Sequence, residues 1–212
     1  MNSNGKRLFV ARHGETVFNA AGRLQGTSLH TPLTVAGFRQ ALAMGEGLAH
    51  YLGGWSAPLD LTASDTGRAL QTLALIAEAI GCDWQEAISD ARLNEIDVGG
   101  WGGVYYRDLM ADGPVIHAEH RLFMRLPEDA ESYTAIAVRL RGWIAEQGFA
   151  RDMLIVSHGM TSRVLRGLLC GLPDLDGFGA PIAPGLPQGS MVAIRDGVEE
   201  VIVLGGGEGE KG

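Results

Sequence analysis

Short apolar runs that lead straight into helical periodicity constrain this chain more than any other feature. Residues 8–11 are apolar throughout, the pattern of a strand buried on both faces. Leu59 to Ala63 and Met153 to Ser157 are further candidate strands, and residues 84–88 another. Polar, turn-like sequence fills Asn19 to Pro32. A helix is then predicted from about Thr34, with Val35, Phe38, Leu42, Leu48 and Leu52 facing the core. Ser64, Asp65 and Thr66 offer caps for a second helix, with its stripe at Leu70, Leu73, Ala77 and Ile80 and its stop at Gly81. Ile136, Leu140, Trp143 and Ile144 share one face of a helix over 132–147, and another helix is predicted over about 161–170. Gln188 to Arg195 and Val198 to Leu204 read as an antiparallel pair turned by Asp196-Gly197. Strands alternating with helices predict an α/β fold: a three-layer sandwich with a mostly parallel central sheet, helices on both faces and an antiparallel edge.

The 212 residues fit a single domain over 1–212, with 205–212 as a flexible tail. A chain of this length buries about 70% of its unfolded surface. The formal charge of −8 argues against general nucleic-acid binding, so an anionic ligand needs a local cluster of cations. Cys82 and Cys170 lack metal or disulfide spacing and read as thiols of a cytoplasmic protein. The opening MNSNGKR has no signal-peptide core, and no apolar run approaches the roughly 20 residues of a membrane helix.

Two strands end in His-Gly. FVARHGET places His13 after the first, and LIVSHGMT places His158 after the strand at 153–157. In α/β sheets, ligands bind outside the carboxyl ends of strands. If these two strands are neighbours, both imidazoles enter one crevice, with Gly14 and Gly159 keeping the chain small for a close ligand. Arg12 joins them. Arg68 lies in the first turn of the helix after the second strand, where free amides favour an anion. Two guanidinium forks, two imidazoles and a helix N-terminus suit a phosphoryl group.

At these residues the sequence resembles the histidine phosphatase superfamily, in the branch that includes cofactor-dependent phosphoglycerate mutases. The resemblance runs from Leu8 to about Ile194. RHGET at 12–16 is similar to the family's nucleophile signature, with Asn19 six residues past the histidine. Leu24-Gln25-Gly26 and Thr31-Pro32-Leu33-Thr34 resemble its phosphate-loop segment and the start of its first helix. SDTGRALQT at 64–72, LNEIDVGGWGG at 93–103 and VSHGMTSRVLRG at 156–167 resemble its second-arginine, acid-bearing and second-histidine motifs. The resemblance implies His13 as nucleophile and Arg12, Arg68 and His158 as holders of the phosphoryl oxygens. Glu95 would be the general acid and base, and Asn19, Gln25, Gly26 and Gly159 would line the site. It implies neither metal nor other cofactor. A nucleophilic histidine must be neutral, so its neighbouring arginines should lower its pKa, and its other ring nitrogen should donate to a backbone carbonyl. Glu95 would need partial burial or a carboxylate neighbour, for which Asp97 is a candidate.

The chain departs from the family pattern at Gly102, at Ser28-Leu29-His30 and at Ala130-Glu131-Ser132. The stretch 104–130 is short for a mutase insertion, and Arg107, Arg121 and Arg125 are dispersed. A phosphatase is therefore expected, acting on a small phosphorylated metabolite. Mutase chemistry and non-catalytic capture of a phospho-ligand are the alternatives. His117 and His120 read as a surface loop or as half of a metal site. Trp101, Tyr105, Tyr106 and Phe123 read as the wall of a leaving-group pocket or as core. The loop 172–187 and the segment 104–130 are expected to set specificity. Oligomeric state is open, a homodimer included, and no membrane or nucleic-acid partner is expected.

Overall fold

A computed structural model of the chain describes residues 5–54 and 58–206. Along the chain run β1 (Leu8–Arg12), α1 (Val17–Ala21), α2 (Val35–Tyr51), β2 (Asp60–Ala63), α3 (Gly67–Ile80), β3 (Ile88–Ser89) and α4 (Tyr106–Leu109). They continue through α5 (Tyr133–Glu146), β4 (Met153–Ser157), α6 (Gly159–Cys170), β5 (Asp174–Leu175), β6 (Ala180–Pro181), β7 (Met191–Arg195) and β8 (Val198–Val203). The main sheet has the order β3-β2-β4-β1-β7-β8. Its first four strands are parallel, and β7 and β8 add the antiparallel edge. The pair β5-β6 stands apart from it.

Strand alternation sorts the core into two layers. Leu8, Val10, Ile155 and Val192 face α5 and α6, while Phe9, Ala11, Leu154 and Val156 face α2 and α3. Both faces being covered explains why β1 and β4 are apolar nearly throughout. The turn between β7 and β8 has Asp196 and Gly197 at φ 49° and 81°, the pattern of a two-residue hairpin with both central residues left-handed.

Several expectations are corrected. On α2, Leu48 is buried, but Val35, Phe38 and Leu42 are 67%, 41% and 42% exposed. The buried face is Gly37, Ala41, Met44, Gly45 and Leu48. Close approach decides this. A Cβ on Gly37 would run into the Glu15 carbonyl, and one on Gly45 would meet Ala79 Cβ at 2.5 Å. Small residues four apart let the helix sit tight on the site loop and on α3, which the bulkier stripe could not do. Gly14 serves the same packing. A Cβ there would strike the Gly37 carbonyl, so its smallness admits α2 rather than a ligand. The strand expected at 84–88 is a 3-10 turn, Trp84–Glu86, followed by the two-residue β3. The polar stretch after Asn19 begins inside α1, and the helix expected from 161 starts at Gly159. Of the expected tail, residues 207–212 lie outside the described residues. Gly205 is tied down, its N–H donating to Ser190 Oγ at 2.9 Å.

Candidate active site

The sheet order brings three strand ends together. Strand β4 pairs with β1 on one side, with Arg12 opposite Ser157, and with β2 on the other, with Ala63 opposite Val156. His13 and His158 follow the first two ends, and their ring centroids stand 5.1 Å apart at 63°. The third end leads through Ser64 and Thr66 into α3, which carries Arg68 in its first turn.

The His13 ring is buried, with Nδ1 2.7 Å from the Gly14 carbonyl. A carbonyl only accepts, so Nδ1 carries the proton and Nε2 keeps its lone pair. His158 is fully buried and both its nitrogens are engaged. Arg68 Nε donates to Nδ1 at 3.2 Å, which makes Nδ1 an acceptor, so Nε2 donates to Ser64 Oγ at 2.7 Å. Arg68, also without exposure, donates through Nη1 to Ser28 O (2.6 Å) and Thr31 Oγ1 (2.9 Å) and through Nη2 to Gly26 O (2.8 Å). Arg12 donates to Leu186 O at 2.8 Å.

Glu95 is half-buried and fixed by backbone amides. Its carboxylate accepts from Met160 N (3.1 Å) and Thr161 N (3.0 Å) in the first turn of α6, and from Ile96 N (2.9 Å). The chain leading to it is pinned from three elements. Ser157 Oγ donates to Leu93 O, Thr161 Oγ1 donates to Asn94 O, and Arg139 donates to the carbonyls of Arg92 and Asn94. Arg139 is itself paired with Glu131 at 2.7 Å, which gives Glu131 of the Ala130-Glu131-Ser132 segment a positioning task. Asp97 is not a carboxylate partner of Glu95. It is exposed, and its Oδ1 accepts from Gly99 N.

A slot of about 40 Å³ is lined by Arg12, His13, Asn19, Gln25, Gly26, Arg68 and Glu95. Two expected residues sit elsewhere. His158 lies behind the slot under His13 and Arg68, and Gly159 lines a neighbouring cleft of about 640 Å³ that shares Arg12 and Met160 with it. Asn19 Oδ1 is spent on Thr16 in the α1 cap, leaving its amide nitrogen as the donor for a ligand. Arg23 and Met160 also line the slot and are not singled out from sequence, and Tyr106, one of the expected wall residues, lines it too. Arg23 stacks on Tyr105 at 4.2 Å and donates to its hydroxyl at 2.7 Å. A cation directly before Leu24-Gln25-Gly26 in an acidic chain was the available signal.

Of the aromatic candidates, Phe123 is both core and slot wall, and Trp101 packs against the core. His117 and His120 stack at 4.7 Å beside Phe178, with His117 Nδ1 accepting from His120 N. Among the described residues no group of three or more His, Cys, Asp or Glu side chains is arranged to hold a metal, and no helix is long and apolar enough to cross a membrane.

Burial, reinforced by Arg68 and Arg12, holds His13 well below its ordinary pKa of 6.5. Burial, Arg68 and His13 itself do the same to His158. Burial lowers Arg68 to about 10, leaving it a cation at neutral pH. The unfolded chain therefore binds protons at both histidines where the folded one does not. Their stabilisation is complete above pH 6.5 and is lost as pH falls from there toward the depressed folded values. Each histidine should contribute roughly 1.4 kcal/mol per pH unit in that window. Urea titrations should show stability falling with acidification, and His13→Asn should flatten the slope by about one proton. Equal slopes in the two proteins would refute this account.

Comparison with known proteins places these residues in context. The sequence model of the histidine phosphatase superfamily (branch 1) matches residues 8–192. A glucosyl-3-phosphoglycerate phosphatase of Mycolicibacterium vanbaalenii is 32% identical over 200 residues, covering 89% of this chain and 84% of that protein. A probable phosphoglycerate mutase, GpmB of Klebsiella pneumoniae, is 33% identical over 190 residues, covering 79% and 76%. Among solved structures, a mycobacterial glucosyl-3-phosphoglycerate phosphatase complexed with VO3 matches with TM-score 0.73 and 27% identity over 93% of this chain and 98% of that one. A putative alpha-ribazole-5'-P phosphatase from Escherichia coli matches with TM-score 0.69 and 27% identity, covering 95% and 97%.

Proposed function

The chain belongs to the histidine phosphatase superfamily, and from that premise we propose that it is a metal-independent phosphatase acting on a phosphate monoester through a phosphohistidine on His13. One observation carries this reading. The Nδ1 contact with Gly14 O leaves Nε2 of a neutral imidazole as the lone pair, in a slot shared with Arg12, Arg68 and Glu95. Nε2 forms the N–P bond as the ester P–O bond breaks, and Glu95 gives its proton to the departing oxygen. Water then attacks phosphorus, Glu95 takes the water's proton, and the N–P bond breaks to return His13. Arg12 and Arg68 stabilise the charge on the equatorial oxygens, and Asn19, Gln25 and the Gly26 turn border them.

His158 holds Arg68 Nε on one ring nitrogen and Ser64 Oγ on the other. To donate from Nδ1 to a phosphoryl oxygen it must carry a proton there, by protonation or by the tautomer in which Nε2 accepts from Ser64 Oγ, and release the Arg68 Nε contact. A dianion bound beside it favours both changes. The phosphatase reading is favoured over the mutase because a cleft of about 640 Å³ next to the slot leaves room for water beside the phosphohistidine. Relatives named as phosphatases support it too. Cys82 and Cys170, carried as free thiols, fit the cytoplasmic setting expected from sequence.

Incubation with a labelled aryl phosphate should trap an acid-labile, alkali-stable phosphoenzyme and release inorganic phosphate. Transfer of label to a second hydroxyl of added phosphoglycerate would make the protein a mutase. Tight binding without any phosphoenzyme or product would make it a capture protein, and the hydrolase reading would be lost.

A further inference from the structure

Behind the slot, two helix N-caps meet over one serine. Thr66 stands at the cap of α3 and His158 at the cap of α6, yet neither side chain caps its own helix. A threonine there ordinarily accepts from an amide of the first turn. The Thr66 hydroxyl turns instead to Ser64 Oγ at 2.9 Å, and Ser64 Oγ is also 2.7 Å from His158 Nε2. All three residues are without exposure. Building on the phosphatase reading, we propose that Ser64 and Thr66 are positioning residues, a reversible hydroxyl pair that sets the tautomer of His158. In the ligand-free protein Ser64 accepts from Nε2. With a phosphoryl group in the slot it donates to Nε2, and His158 meets the anion as a neutral ring with its proton on Nδ1.

Donor and acceptor counting leads there. A hydroxyl has one hydrogen and two lone pairs. Ser64 Oγ uses one lone pair on the Thr66 N–H at 3.2 Å. One hydrogen and one lone pair remain for His158 Nε2 and the Thr66 hydroxyl, so those two neighbours must play opposite roles. When Nε2 donates to Ser64, Ser64 donates to Thr66 Oγ1. When Thr66 donates to Ser64, Ser64 donates to Nε2. Rotation of two hydroxyls exchanges the states, and Ser64 keeps all its bonds in both. In the ring, one proton leaves Nε2 and one joins Nδ1, so the charge of the site does not change.

An imidazolium would be the costlier way to make the same donor. Burial, Arg68, His13, Arg139 and Arg12 all oppose a positive charge on His158. What holds the Nδ1 lone pair in the ligand-free state is the Arg68 Nε donor at 3.2 Å. A phosphoryl oxygen that draws this guanidinium frees Nδ1, and a neutral ring with its proton there needs a donor at Nε2. A carbonyl in the place of Ser64 Oγ would only accept and would fix the proton on Nε2, whereas a hydroxyl serves both states.

Nitrogen NMR shifts of the His158 ring read the proton directly. Without ligand it should sit on Nε2, and with inorganic phosphate bound it should sit on Nδ1 alone. Thr66→Val leaves the Ser64 hydrogen only Nε2 to meet, so the proton should stand on Nδ1 even without phosphate. Ser64→Ala removes the donor, so the proton should stay on Nε2 with phosphate bound, and kcat/KM for an aryl phosphate should fall about tenfold. Residues that merely support the fold would lower activity without moving the proton in opposite directions. A doubly protonated ring in the phosphate complex of the unaltered protein, or a proton that remains on Nε2, would overturn the pair while continued hydrolysis of the aryl phosphate kept the phosphatase reading. Phosphate that perturbs neither histidine, together with no hydrolysis, would sink both.

Discussion

Arg68→Met is expected to lose about 3–5 kcal/mol of stability and on the order of a thousandfold in kcat/KM. Methionine fills much of the volume but donates nothing. The carbonyls of Gly26 and Ser28, the Thr31 hydroxyl and His158 Nδ1 would each lose a donor, all but Ser28 in a buried setting. The substitution also removes a charge that lowers the pKa of both histidines. The acidic limb of the kcat/KM profile should therefore move to higher pH, because His13 becomes protonated, and unable to attack, sooner. Urea unfolding reads the first effect and a pH–rate profile the second. A variant as stable as the parent with an unmoved acidic limb would show that Arg68 neither holds the phosphate loop nor tunes the nucleophile.

His13→Ala should leave no trappable phosphoenzyme and lower kcat by roughly four orders of magnitude or more, since the covalent route is closed while the guanidinium cage persists. The fold should survive, because the ring is neutral and its hydrogen bond runs only to Gly14 O beside it in the chain, with the His158 ring as its aromatic neighbour. Phosphate binding should persist in the variant, since Arg12 and Arg68 remain. Full activity with the alanine in place would refute the mechanism outright, and circular dichroism matching the parent would exclude unfolding as the cause of any loss.

The chain announced its strands well. Residues 8–11 and 153–157 are apolar because both faces of a parallel sheet are covered, and that pattern is local. The meeting of His13, His158 and Arg68 was also within reach, since in an α/β sheet each residue following a strand or opening the next helix lies at the same edge. The face of α2 was not. Hydrophobicity pointed to Val35, Phe38 and Leu42, whereas the packing chose Gly37, Ala41 and Gly45. Backbone-to-backbone approach has no signature in a hydrophobic pattern, only in where the small residues fall.

Sequence by itself thus determined the layer order, the nucleophile candidate and the cations around it, because those follow from strand ends and helix starts fixed by short-range pattern. Tertiary structure decided the rest. It set His158 behind the slot, with both nitrogens committed to Ser64 and Arg68. It braced Glu95 with amides of α6 and with the Arg139–Glu131 pair, and it built the neighbouring cleft from residues near 120, 160 and 185. Each of these depends on contacts between segments far apart in sequence, and hydrogen-bond geometry and net charge at a point in space exist only once those segments have packed.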